Sequence, residues 1–228
     1  MKRFVFLDLD DTIYDFHKAE HIALSKTLET LGLEPREEVL NRYSAINAAQ
    51  WRLLEQGTLT REQVKERRYQ LLFEEFSIDV DPVLAARTYE HNLSIGHYFI
   101  DGAEEMLKTL SREYRLYLVS NGSVDIQMPR IASGNIARYF RGIFISEAIG
   151  HNKPSKAYFD AVFAAIPAFE KEKAVIVGDS LSSDILGGQI AQITTVWFRP
   201  SGQPVREDIR PDHVISHLSE LEQLLKQL

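Results

Sequence analysis

Residues 4–15 read FVFLDLDDTIYD: Phe4, Val5, Phe6 and Leu7 form an unbroken apolar run that opens into Asp8, Asp10 and Asp11. An apolar run without alternation is the pattern of a strand buried on both faces of a parallel sheet. Three carboxylates at its end repel one another, which costs free energy unless protons or a cation compensate. The stretch is therefore either a solvated acidic turn or a metal site. The rest of the chain decides between them.

The same apolar signature recurs at residues 116–119, 174–177 and 195–198, with weaker forms at 143–145 and 213–215. Helical patterns fall between and after these runs, at 104–112, 124–133, 156–165, 182–191 and 218–228. Alternating strands and helices predict an α/β fold with a doubly wound, mainly parallel sheet, a Rossmann-like core. One interval breaks the alternation. Between Asp15 and about His97 only helical patterns occur, beginning with a stripe of His17, His21, Leu24, Leu28 and Leu31. Further helices are expected over 36–55, 60–76 and 81–93, punctuated by Gly32, Gly57 and Pro82, and Thr60 with Gln63 has capping-box spacing. The expected organisation is an α/β core from residues 1–14 and 98–228, with an all-helical domain inserted at 15–97.

Composition narrows the function classes. Among 228 residues, 44% are hydrophobic and 26% charged, which is ordinary for a globular protein with a sizeable core. A net charge of −7 and the absence of any Lys/Arg run longer than two argue against a nucleic-acid polymer as partner. There is no cysteine, so disulfides, thiolate metal sites and cysteine nucleophiles are excluded. The apolar run after Lys2 and Arg3 is broken by Asp8, too early for a signal peptide, and no stretch approaches the ~18 apolar residues of a membrane helix. The expectation is a cytoplasmic protein without a membrane partner, a monomer or a weak homodimer.

In open α/β sheets, ligands bind beyond the carboxyl ends of the strands. The first strand delivers Asp8, Asp10 and Thr12 there, and the second delivers Ser120, Asn121 and Gly122. The segment after 143–145 leads to Lys153-Pro154, and the run at 174–177 delivers Gly178, Asp179 and then Asp184. Hard oxygen ligands of this kind suit Mg²⁺, while a lysine and a hydroxyl suit an anion. Together they describe a phosphoryl-transfer site.

These residues carry a specific resemblance. DLDDT at 8–12, the strand-terminal Ser120, the lysine of Asn152-Lys153-Pro154 and GDSLSSD at 178–184 resemble, in order and spacing, the four motifs of the haloacid dehalogenase-like hydrolase superfamily. The resemblance implies a Mg²⁺-dependent phosphatase that acts on a small phosphate ester. It implies Asp8 as nucleophile forming an aspartyl-phosphate, Asp10 as general acid and then base, and Ser120 with Lys153 holding the phosphoryl group. Mg²⁺ would bind Asp8, the Asp10 carbonyl and Asp179, with Asp184 in an outer place. Asp11 is expected to face solvent and fix the turn. The 2-haloacid dehalogenases of the superfamily lack a carboxylate two residues after the nucleophile, so Asp10 speaks against dehalogenation.

A helical insert directly after the first motif resembles the cap that closes over the site and reads the leaving group. The segments at 119–123, 152–159 and 184–198 are most similar to bacterial pyrimidine 5′-nucleotidases, which implies a nucleoside 5′-monophosphate as substrate. Sugar phosphates such as phosphoglycolate are the alternative. Trp51 and Arg68 of the insert, with Thr12, Asn121 and Gly122 of the core, are candidate substrate contacts, though helix packing for Trp51 and solvation for Arg68 explain them as readily. Where relatives usually read N-A-G-I, this chain has Ile190-Ala191-Gln192-Ile193. Two rival readings remain: a zinc peptidase built on the H-x-x-E-H pattern of His17, Glu20 and His21, and a non-catalytic binding module.

Overall fold

β1 (Phe4–Leu7) is buried at every residue. It pairs in parallel with β2 (Arg115–Ser120) on one side and β4 (Ala174–Gly178) on the other, Leu7 lying opposite Leu118 and Val177. With β3 (Phe140–Ile145), β5 (Thr194–Phe198) and β6 (His213–Ile215), the described residues form a parallel sheet in the order β3-β2-β1-β4-β5-β6. The computed structural model describes residues 2–200 and 208–228.

Alternate side chains of β1 enter two different cores, which explains the unalternating FVFL. Val5 and Leu7 join Leu116, Leu118, Val175 and Val177 on one face. There α5 (Ala103–Glu113) adds Met106, Leu107 and Leu110, and α10 (Leu221–Gln227) adds Leu221 and Leu225. Phe4 and Phe6 join Tyr117, Val119 and Ile176 on the other face, covered by Tyr158, Phe159 and Val162 of α8 (Lys156–Ala164). Each such side chain contributes about 1.5–3 kcal/mol by burial. A polar residue inside this strand would face apolar neighbours on either side.

The strand order reverses direction at β1 and β4: from β1 the chain winds outward through β2 and β3, then returns to β4 and winds the other way. A crevice opens at the carboxyl ends of such neighbours. Crossovers run through α5 into β2, α6 (Val124–Ser133) into β3, and α7 (Ser146–Ile149) with α8 into β4. After β4 a π turn at Leu181–Ile185 leads into a short α9 (Leu186–Ala191), where one continuous helix over 182–191 was expected.

Contacts divide the chain into two units, Met1–Asp15 with His97–Leu228, and Phe16–Gly96. The second unit is helical: α1 (Phe16–Thr30), α2 (Glu37–Glu55), α3 (Arg61–Phe76) and α4 (Pro82–Ile95). The capping box at Thr60 and Gln63 forms, with reciprocal bonds of 3.3 and 2.8 Å, and Asp81 accepts the Val83 N–H at 2.9 Å to start α4. The buried face of α1 differs from the expected stripe. Ala19, Glu20, Ala23, Leu24, Thr27 and Leu28 are buried, whereas His17 and His21 are exposed. Two alanines allow close packing on this face, and Glu20 is tolerated there because it accepts a 2.7 Å hydrogen bond from Asn47. No helix among the described residues is long and apolar enough to cross a membrane.

Candidate active site

Asp8 follows directly on β1, and its backbone N–H donates to Val177 O at 3.0 Å, continuing the sheet register. Asp179 follows β4. Asp184 sits inside the π turn, wholly buried, with its carboxylate over Gly178. Any Cβ on Gly178 would overlap that carboxylate, so the glycine is what lets Asp184 reach the strand end. Oxygens of Asp8, Asp179 and Asp184 lie within 4.8 Å of one another, and among the described residues no other three carboxylate or imidazole groups converge in this way. His17, Glu20 and His21 do not: Glu20 binds Asn47, and His21 lies 3.3 Å from Glu37 on the surface.

Lys153 threads between the carboxylates. Its ammonium donates to Asp8 Oδ1 at 2.6 Å, Asp184 Oδ1 at 2.6 Å and Val119 O at 3.0 Å, using all three of its hydrogens at 1% exposure. The loop that carries it is clasped by Asn121. The Asn121 amide donates to Lys153 O at 2.9 Å and accepts the Lys153 N–H at 2.8 Å. Asn121 thus holds the lysine in register with the end of β2.

Electrostatics follow from this count. Fully ionised, the three carboxylates would outnumber the one ammonium by two negative charges. Burial pushes the Asp8 carboxyl up to about 8; Lys153 pulls against this and Asp184 adds to it. Asp179 is raised well above the usual carboxylate range by burial, then by Asp8, Asp184 and Asp11. Burial alone would lower Lys153, but Asp184 and Asp8 outweigh it and hold the ammonium above its ordinary value. A divalent cation that prefers oxygen ligands would take the place of the protons that burial favours on Asp8 and Asp179.

Asp10 stands apart from this cluster. Arg130 Nη1 donates to its Oδ1 at 2.6 Å and Gln127 Nε2 to its Oδ2 at 2.5 Å. The next residue, Asp11, takes the left-handed conformation at φ 57°, and its N–H donates to Tyr14 O at 2.7 Å, closing the turn. Thr12 is fully buried and exchanges hydrogen bonds with Asp179: the Asp179 N–H donates to Thr12 Oγ1 at 3.1 Å, and that hydroxyl donates to Asp179 Oδ1 at 3.4 Å. Ser120 Oγ accepts the Gly122 N–H at 3.1 Å and Gln127 Nε2 at 3.0 Å.

Trp51 and Arg68 belong to the helical unit. The Arg61 guanidinium lies 5.5 Å from the Trp51 ring centre. Arg68 is buried rather than solvated, donating to Asn47 Oδ1 at 3.0 Å and packing among the rings of Tyr43, Tyr69 and Tyr89. Three supports escaped the sequence reading. Gln127 and Arg130 share the buried stripe of α6 with Ile126 and Ile131, and two polar residues on an apolar stripe were the available signal. Trp197 Nε1 donates to Asp179 O at 2.7 Å, a contact with no local sequence signature.

Comparison with known proteins places this geometry. Residues 5–198 match the family model described as haloacid dehalogenase-like hydrolase. The chain is 37% identical to YfnB, a HAD-hydrolase of Bacillus subtilis strain 168, over 99% of its own length and 97% of the relative's. The crystal structure of YfnB bound to magnesium superposes with a TM-score of 0.94 over 98% of each chain. Two pyrimidine 5′-nucleotidases are also similar. PynA of Streptococcus pneumoniae R6 is 34% identical over 87% of this chain and 84% of its own, and YjjG of Escherichia coli K12 is 27% identical over 97% and 96%.

Proposed function

The chain belongs to the haloacid dehalogenase-like hydrolase family, and from that premise we propose that it is a Mg²⁺-dependent phosphatase whose substrates are pyrimidine nucleoside 5′-monophosphates. The observation that carries the phosphatase reading is the pairing of Asp8 with Lys153 inside a three-carboxylate cluster, with a fourth carboxylate, Asp10, held separately two residues on. The substrate class rests on the similarity to PynA and YjjG.

Asp8, Asp179 and Asp184, with the main-chain carbonyl of Asp10, are the groups that would hold Mg²⁺. When bound, the ion supplies charge neutralisation for the phosphoryl oxygens and for the carboxylates themselves. The chain's own residues do the rest. An Asp8 carboxylate oxygen attacks phosphorus, the bond from phosphorus to the ester oxygen breaks, and that oxygen takes a proton from Asp10. Water then attacks the aspartyl-phosphate and gives its proton to Asp10, releasing phosphate and restoring Asp8. Lys153 keeps the Asp8 carboxylate oriented by the bond at its Oδ1 and offsets charge as it develops. Ser120 donates its hydroxyl to a phosphoryl oxygen.

The helical unit at Phe16–Gly96 is read as the cap that selects the leaving group. A screen of phosphomonoesters with Mg²⁺, ranked by kcat/KM, tests the proposal. A preference for uridine and thymidine monophosphates over sugar phosphates supports the nucleotidase reading. A flat profile reduces it to a broad phosphatase, and inactivity on every ester overturns it.

A further inference from the structure

We propose that Gln127 and Arg130 are positioning residues for the proton-transfer steps, a clamp that fixes the Asp10 carboxylate and ties it to Ser120. The inference rests on the reading of Asp10 as the proton carrier. Both side chains leave α6 three residues apart, and both are buried, Arg130 completely. The Arg130 guanidinium is ion-paired to the Asp10 carboxylate from a fully buried position, where such a pair is little screened by water. Arg130 Nη1 serves two acceptors, Asp10 Oδ1 at 2.6 Å and Gln127 Oε1 at 2.8 Å. The Tyr14 ring lies 5.4 Å from this guanidinium, and the Tyr14 hydroxyl donates to Arg130 O at 3.2 Å, fixing the helix turn that carries it.

Accepting from Arg130 sets the orientation of the Gln127 amide. Its oxygen faces the guanidinium, so its NH₂ end faces Asp10 Oδ2 at 2.5 Å and Ser120 Oγ at 3.0 Å, one hydrogen for each. Two consequences follow. The Asp10 carboxylate accepts one bond on each oxygen, which fixes its plane while leaving further lone pairs for a proton. Ser120 Oγ accepts from both Gln127 and the Gly122 N–H, so its own hydrogen is the one left to donate to a phosphoryl oxygen. Glycine at 122 is part of the device, because a Cβ there would overlap the Gln127 side chain. Proton transfer by a placed side chain contributes about 10²–10⁴-fold, and that contribution depends on geometry.

The test compares kcat/KM for phenyl phosphate, whose leaving oxygen needs a proton, with kcat/KM for p-nitrophenyl phosphate, whose more acidic phenol departs with less help. In Arg130→Gln the phenyl ester is expected to lose about 10²-fold and the p-nitrophenyl ester less than about tenfold. Arg130→Lys, which restores a cation near Oδ1, is expected to recover part of the phenyl ester rate. Gln127→Leu removes the amide at similar volume, should show the same selective loss, and carries the test if Arg130→Gln does not fold. An equal loss on the two esters overturns the clamp and leaves the phosphatase reading standing. Wild-type protein that turns over neither of these esters nor any nucleoside monophosphate or sugar phosphate with Mg²⁺ overturns both.

Discussion

Lys153 and Asp8 form a buried ion pair, Nζ to Oδ1 at 2.6 Å, between residues 145 positions apart in the chain. The same ammonium holds Asp184 at an equal distance, so one cation orders two of the carboxylates that would otherwise repel. Removing it takes the buried cationic donor away from both Asp8 and Asp184, and breaking such a buried pair costs about 3–5 kcal/mol. Lys153→Met is therefore expected to lose that much stability in urea denaturation at neutral pH with EDTA, and to lose turnover. Adding Mg²⁺ is expected to recover part of the stability by binding the folded state.

The raised carboxyls make the metal-free protein sensitive to pH. Folded Asp8 holds a proton up to about 8 and Asp179 well above its ordinary range, whereas both lose their protons near 4 in the unfolded chain. Between those limits the folded state binds more protons, so stability falls as pH rises. Thermal melts in EDTA should show Tm decreasing from about pH 5 to about pH 8, more steeply in wild type than in Asp179→Asn. With Mg²⁺ present the decrease should shrink.

Trp197 reaches the site from β5 and bonds the carbonyl of Asp179 at 2.7 Å. Partners that orient a metal ligand typically account for about 10–100-fold in metal affinity. Trp197→Phe keeps the ring and removes the donor. The expected result, read from activity against Mg²⁺ concentration, is an apparent Mg²⁺ affinity weaker by about tenfold with little change in kcat at saturation.

Gln192 ends α9 at φ 59°, in the left-handed region where a Cβ is strained. The backbone here has the left-handed conformation that glycine adopts without strain. Gln192→Gly is expected to be neutral or stabilising, by up to about 1 kcal/mol, and to leave catalysis unchanged. Chemical denaturation checks the first point and p-nitrophenyl phosphate turnover the second.

Much of the fold was legible because it repeats one simple signal. Strands buried on both faces, β1 and β4 above all, read as apolar runs, whereas the edge strand β6 at His213–Ile215 exposes Val214 and carried only a weak form of the signal. The catalytic candidates were legible for a related reason: in a parallel sheet the residues that meet at one edge are those that follow each strand, and Asp8, Ser120 and Asp179 each do so or stand last in the strand. What joins them was not legible. The bonds from Arg130 to Asp10 and from Trp197 to Asp179 link residues brought together only by the winding of the sheet. The burial of Arg68 was hidden too, because Arg67 and Arg68 read alike on a charged helix, with no sign that Tyr43, Tyr69 and Tyr89 surround the second while the first is exposed.

The central claim is that Asp8 carries the phosphoryl group. Borohydride reduction of the enzyme during turnover with p-nitrophenyl phosphate and Mg²⁺, followed by peptide mass spectrometry, tests it most directly. The account predicts conversion of Asp8 to homoserine, absent without substrate and absent in Asp8→Asn, which should also be inactive. Undiminished turnover by Asp8→Asn, or a modified residue elsewhere in the chain, would contradict it.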